Sequence, residues 1–143
     1  MLVEDDPNDA RLVQMEFERK AQFRLSWVKD GEQAADYLQG HPPYADRKQF
    51  PLPDVILLDL KMPRMSGFDF LEWLHKDSPG DFRLIPVIVL SGSDLQEDIR
   101  RAYQLGANAY LTKPPDWKAF QEQLLRIGIF WGDSAKTPVM PSH

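Results

Sequence analysis

Two dense apolar runs, Val55-Ile56-Leu57-Leu58 and Ile85-Pro86-Val87-Ile88-Val89-Leu90, do most to limit what this chain can fold into. Both are short and rich in β-branched residues, so each reads as a strand covered on both faces. A strand buried in this way needs a layer of helices on either side. The neighbouring segments supply them. Pro7 suits the opening of a helix whose Ala10, Val13 and Phe17 share one stripe. Gly31 to Leu38 and Gly67 to Lys76 read as further helices. Asp94 is placed to cap a helix carrying Leu95, Ile99 and Ala102, which Gly106 can end. Asp116 caps a last helix, whose stripe of Trp117, Phe120, Leu124, Ile127 and Trp131 is expected in the core. Met1 to Glu4, Phe23 to Val28 and Ala109 to Thr112 supply further strands, and the proline-rich stretch from His41 to Pro53 is a loop. Strands alternating with helices predict an α/β fold around a parallel sheet of five strands, with five helices.

The 143 residues suit one domain, and a 43% hydrophobic content is enough for its core. A net charge of −5 argues against nucleic acid as a partner, because phosphate binding needs clustered Lys and Arg. The absence of cysteine excludes disulfides and thiolate metal sites. No apolar stretch is long enough to span a membrane, and no signal-peptide pattern opens the chain. A cytoplasmic protein is expected. Residues 1–132 form the predicted domain, and residues 133–143, with Pro138 and Pro141 and little apolar pattern, a mobile tail.

Ligand sites of parallel sheets lie beyond the carboxyl ends of the strands. Glu4 and Asp5 end the first strand, Asp59 the third, Ser91 the fourth and Lys113 the fifth. Taken singly, each has an ordinary explanation as a turn former, cap or solvated charge. Together they bring three carboxylates to one edge with one lysine and one hydroxyl. Crowded carboxylates repel unless a cation neutralises them, and Mg²⁺ suits an all-oxygen set. A carboxylate beside such an ion can act as nucleophile toward a phosphoryl group, with Lys113 and Ser91 meeting the incoming charge.

The motifs Leu2-Val3-Glu4-Asp5-Asp6, Ile56-Leu57-Leu58-Asp59-Leu60-Lys61-Met62-Pro63 with Ser66-Gly67, Val89-Leu90-Ser91 and Tyr110-Leu111-Thr112-Lys113-Pro114 resemble those of response-regulator receiver domains, the family of the chemotaxis switch protein. The resemblance covers almost everything up to about Trp131. It implies a flavodoxin-like, doubly wound sheet of order 2-1-3-4-5, and a switch protein rather than an enzyme. Asp59 would accept phosphate from the phosphohistidine of a sensor histidine kinase. Asp5, Asp59 and the backbone carbonyl of Lys61 would bind Mg²⁺, with Glu4 acting on the ion through water. Ser91 would hydrogen-bond the phosphoryl group, and Lys113 would pair with it ahead of a cis Pro114. Tyr110 would be the aromatic that changes rotamer with the hydroxyl. Pro43-Tyr44-Ala45-Asp46, the stretch from Arg101 to Tyr110, and Phe130-Trp131 resemble the small regulators of bacterial phytochromes, which implies a red-light-sensing kinase as donor.

Some residues fall outside this pattern. The first strand is shorter than the family's, so its neighbours are expected to lack some ladder partners and Asp5 to be less well held. The Lys61 side chain either approaches the phosphoryl group or is simply solvated. Leu125 and Ile129 fall nearly opposite the last helix's core stripe, so with Phe130 they predict a homodimer through the last strand and helix. Three rival readings remain. A receiver-like binding module that is never phosphorylated is disfavoured by the intact set of five residues. An Asp-nucleophile phosphohydrolase would carry a second Asp where Lys61 stands. A DNA-binding regulator would need a basic helix.

Overall fold

The two apolar runs become the inner strands of a five-stranded parallel sheet. The computed structural model describes residues 1–19 and 23–140. Along the chain lie β1 (Leu2–Val3), α1 (Pro7–Glu18), β2 (Trp27–Val28), α2 (Gly31–Gln39), β3 (Ile56–Leu58), α3 (Gly67–Glu72), β4 (Val87–Ser91), α4 (Gln96–Gln104), β5 (Ala109–Thr112) and α5 (Trp117–Gly128). The sheet order is β2-β1-β3-β4-β5, with every neighbouring pair parallel. This is the expected doubly wound arrangement. Alternate residues of β3 and β4 feed two cores. Ile56, Leu58, Val87 and Val89 pack with Tyr37 and Leu38 of α2, Phe70 and Leu71 of α3 and Ala102 of α4. Leu57, Ile88 and Leu90 pack on the other face with α1 and α5. Both faces of each strand are therefore dry, which is why neither run alternates with polar residues.

Local differences from the sequence reading have physical causes. β2 is confined to Trp27–Val28 because β1 offers it only Leu2 and Val3 to pair with. The third helix is α-helical only to Glu72 and continues as a π turn over Trp73–Asp77. Asp94 does not cap α4. The cap position falls on Leu95, which is 52% exposed. Ser93 does the bonding instead: its hydroxyl oxygen accepts from the Leu95 N–H at 3.3 Å. Trp117 opens α5 half-exposed, edge-on to Phe120, and Phe120 takes the buried place on that stripe. The bond between Lys113 and Pro114 is not cis, in line with the ordinary preference of X–Pro bonds; the cis bond lies between Pro42 and Pro43.

The short β1 is bonded on both sides. The Met1 ammonium donates to the Val55 carbonyl at 2.8 Å. Leu2 N–H donates to Ser26 and Glu4 N–H to Val28, while Met1 and Val3 carbonyls accept from Leu57 and Asp59. Asp5 thus follows a strand tied to both neighbours. Ahead of Met1, a cavity of about 600 Å³ opens between residues 24–26 and 51–55. At the sheet's far edge, the Tyr103 hydroxyl of α4 accepts from the Tyr110 N–H of β5 at 3.1 Å. After α5 the chain winds on through Ile129–Ser134, and Met140 packs against the core on the α2 face. The rest of the expected tail, Pro141–His143, lies outside the described residues.

α3 begins hard against the exit of β3. A Cβ on Gly67 would lie 2.2 Å from the Asp59 carbonyl oxygen and 2.6 Å from the Leu60 Cα, both backbone atoms. Ser66 and Asp69 fix that start by a reciprocal cap. Gly67→Ala should therefore destabilise the fold by about 1–3 kcal/mol through overpacking. Urea unfolding checks this, and an unchanged midpoint would mean that α3 can move away freely.

Candidate functional site

The carboxyl ends of β1, β3, β4 and β5 meet at one edge of the sheet, and the acidic residues of the first turn divide their work there. Asp6 leaves the pocket to cap α1, accepting from the Asn8 and Asp9 N–H groups. Glu4 turns inward and is 3% exposed. Asp5 stays exposed at the rim. Asp59 follows β3 and is 9% exposed, with its Oδ1 accepting from the Leu60 N–H at 2.9 Å. Carboxylate oxygens of Glu4, Asp5 and Asp59 lie within 4.8 Å of one another. Three hard oxygen donors at that separation fit a small divalent cation.

Lys113 is the cationic member. Its Nζ donates to Glu4 Oε2 at 2.6 Å and to Asp9 Oδ2 at 3.1 Å. No ion pair joins it to Asp59 among the described residues. In this state the ammonium therefore rests on the β1 side of the pocket. Asp9 was not singled out in the sequence. An acid in the first helical turn is ordinarily explained by the helix dipole, and only the three-dimensional path of Lys113 gives it a second role. Trp27 was also missed: its indole N–H donates to the Glu4 carbonyl at 2.8 Å and pins the backbone leading into Asp5. Aromatic character in a strand usually signals packing, and nothing in the spacing marks this bond.

Ser91 ends β4 and is buried. The carbonyl of Ser91 accepts from the Lys113 N–H at 2.7 Å, and its hydroxyl oxygen accepts from the Ser93 N–H at 3.2 Å. Asp59, Lys61, Ser91 and the 92–95 loop wall a cleft of about 290 Å³. The Lys61 side chain is exposed at its mouth. Tyr110 is half-buried, and its hydroxyl donates to the Ser93 carbonyl at 2.7 Å. The structure thus gathers Glu4, Asp5, Asp59, Ser91 and Lys113 as expected, with Tyr110 one loop away. Leu125, Ile129 and Phe130 lie apart from the pocket, 40%, 45% and 55% exposed at the end of α5 and just beyond it.

Burial first, and the crowding of carboxylates around one ammonium second, set the pocket's titration. Burial, and then the charge of Asp59, push Glu4 up to about 7. Burial also raises Asp59, against the pull of Lys113. Burial alone would lower Lys113, but its bonds to Glu4 and the charges of Glu4 and Asp59 outweigh that and raise it. The ordinary value for glutamate is 4.5, so the metal-free native state holds an extra proton on Glu4 between that value and about 7. This group stabilises the fold below the lower value and loses its contribution as pH rises through the upper one. The thermal midpoint of metal-free protein should fall across that window, and Glu4→Gln should flatten the slope. An equal slope in wild type and variant would refute the assignment.

Comparison with known proteins places this geometry. Residues 1–125 match the response regulator receiver domain. The chain is 35% identical over 132 residues to the probable methanogenesis regulatory protein FilR2 of Methanothrix harundinacea, covering 92% of this chain and 81% of that one. It is 34% identical over 139 residues to the response regulator Rcp1 of Synechocystis, covering 96% and 91%. The Mn²⁺-bound structure of Rcp1 superposes with a TM-score of 0.86, at 34% identity over 96% of each chain. The phosphorylated cyanobacterial phytochrome response regulator RcpA superposes at 0.88, again at 34% identity over 96% of each chain. A match this long, on a sheet that carries the acidic pocket at its carboxyl edge, makes this chain a member of the response regulator receiver family.

Proposed function

We propose that Asp59 is the phosphoacceptor of this response regulator and that Mg²⁺ is its metal. The observation that carries the reading is the meeting of Asp59 with Glu4 and Asp5 inside 4.8 Å, beside a lysine that is free of Asp59. A carboxylate oxygen of Asp59 attacks the phosphorus of a phosphohistidine. The P–N bond breaks, an acyl phosphate forms, and the donor imidazole takes up a proton. Asp5, Asp59 and the Lys61 carbonyl would hold Mg²⁺, with Glu4 acting on it through water, and the ion would supply positive charge to offset the carboxylates and the phosphoryl group. Lys113 passes from Glu4 to the new dianion, and Ser91 donates its hydroxyl to a phosphoryl oxygen. The loop leading to α4, held by Tyr110, then changes its contacts.

The kinase that supplies the phosphoryl group is, on this reading, of phytochrome type. Support comes from the similarity over 96% of the chain to a phosphorylated cyanobacterial phytochrome response regulator. The protein works in the cytoplasm without nucleic acid, in keeping with its net charge of −5. No helix among the described residues is long and apolar enough to cross a membrane. It acts as a switch rather than an enzyme: a turnover phosphatase of the Asp-nucleophile type would place a second carboxylate where Lys61 stands.

Incubation with acetyl phosphate and Mg²⁺, read by intact mass, tests the central assignment. Wild type should gain one phosphoryl group and Asp59→Asn none. Equal gain in both would remove Asp59 as acceptor.

Leu125, Ile129 and Phe130 form the homodimer contact on this reading, because large apolar side chains exposed together on a small domain mark an association surface. Sedimentation at tens of micromolar should give a dimer, and Ile129→Lys with Phe130→Lys should give a monomer. A monomeric wild type would count against this contact.

A further inference from the structure

Among the described residues, four polar or charged ones are buried: Glu4, Asp59, Ser91 and Asp30. The first three belong to the acceptor pocket. Asp30 stands in the turn between β2 and α2, and the phosphorylation chemistry gives it no part. Its Oδ1 accepts from the Gln33 N–H at 2.8 Å and so caps α2. Its Oδ2 faces the Arg64 Nη2 at 3.3 Å. Gly31, next in the turn, donates its N–H to the Met65 carbonyl at 3.2 Å. A Cβ on Gly31 would lie 2.9 Å from that carbonyl oxygen and 2.8 Å from the Met65 Cγ, so glycine is what lets the two turns come this close. The β2–α2 turn thus grips Arg64 and Met65, late in the loop between β3 and α3. Lys61 stands earlier in the same loop. A backbone carbonyl is aimed only by the path of the chain on either side of it. On one side Leu60 and Met62 are buried in the core with α2 and α3. On the other, Arg64 has a φ of +64°, a left-handed value that a residue with a Cβ keeps only where its surroundings hold it.

We propose that Asp30 is a positioning residue for the divalent cation: its ion pair with Arg64 holds the β3–α3 loop in the path that aims the Lys61 carbonyl at the metal. The inference rests on the reading that Asp5, Asp59 and that carbonyl are the metal ligands. Asp30 is a fixed point, because its side chain is 3% exposed and its other oxygen is committed to α2. Arg64 reaches it from a side chain that is 69% exposed. When the pair is lost, the backbone at Arg64 relaxes toward commoner values, Pro63 and Met62 turn with it, and the carbonyl swings off its line. Asp30 does not touch the ion. Its effect travels through the loop, as the support behind a metal ligand ordinarily does.

Titration with Mn²⁺ alone, read by the electron paramagnetic resonance of the free ion, tests this without any phosphodonor. Asp30→Asn keeps an oxygen for the Gln33 N–H and loses the charge. Arg64→Asn tolerates the left-handed backbone but is too short to reach Asp30. Each should weaken Mn²⁺ binding about threefold, the scale of an ion pair with one exposed partner. A field acting through space would move the two in opposite directions, since Asp30→Asn removes a negative charge and Arg64→Asn a positive one. The double variant should be no weaker than either single one, and Arg64→Lys should bind as wild type does. Unchanged or tighter binding in Arg64→Asn overturns the proposal, as do losses that multiply in the double variant. Asp30→Asn with a lowered urea midpoint but wild-type affinity also overturns it, because Asp30 would then serve only as a cap. If Asp5→Asn binds Mn²⁺ as tightly as wild type, the metal assignment itself falls and takes the proposal with it.

Discussion

A half-buried ammonium is tolerable only where carboxylates surround it, and crowded carboxylates are tolerable only with a cation among them. Lys113 and Glu4, 2.6 Å apart, satisfy both conditions at once. The bond links the exit of β5 to the exit of β1, elements at opposite ends of the chain. It holds because β1, β3, β4 and β5 run parallel and bring their carboxyl ends to one edge. In the sheet order β1 and β3 lie side by side, so Glu4, Asp5 and Asp59 share one edge. One lysine does not balance three carboxylates, and the remaining negative charge is what invites a divalent ion.

The scaffold keeps this pocket from relaxing. Each inner strand sends alternate side chains into separate cores, so neither face can shift without disturbing the other. Gly67 lets α3 press on the backbone of Asp59, and the reciprocal Ser66–Asp69 cap keeps it there. The 92–95 loop beside the pocket is tied to its surroundings chiefly through one residue, Ser93. A rigid acceptor beside a loop with few anchors suits a switch, since a small charge change can tip the loop without loosening the sheet.

Much of this could be read from the residues. The apolar runs of β3 and β4 reveal buried strands because no polar residue interrupts them. Asp59, Ser91 and Lys113 stand out because each directly follows or ends such a run. Side-chain traffic between elements is harder to read. Asp9 meets Lys113 across 104 positions, and an acid in a first helical turn already has a sufficient local reason to be there. Trp27 donates to a backbone carbonyl, an acceptor that every residue carries, so no sequence pattern marks the pair. Asp94 reads as the cap of α4 because Asp is a favoured N-cap residue standing just ahead of the apolar stripe. Ser93 bonds the same turn from one position further back, a difference of loop path rather than of residue preference. Trp117 fits the spacing of a core stripe, yet spacing does not say where along a helix the core stops.

The Tyr103–Tyr110 bond bears on how copies of this chain can meet. β5 is one of the sheet's two outer strands, and an outer strand ordinarily presents unpaired N–H and C=O groups that can recruit further strands, up to fibrils. Here a tyrosine from α4 occupies the N–H of Tyr110. Continuing the sheet into a second molecule would require that side chain to be expelled first. The β5 edge is thereby shielded from open-ended strand addition by a side chain of its own fold.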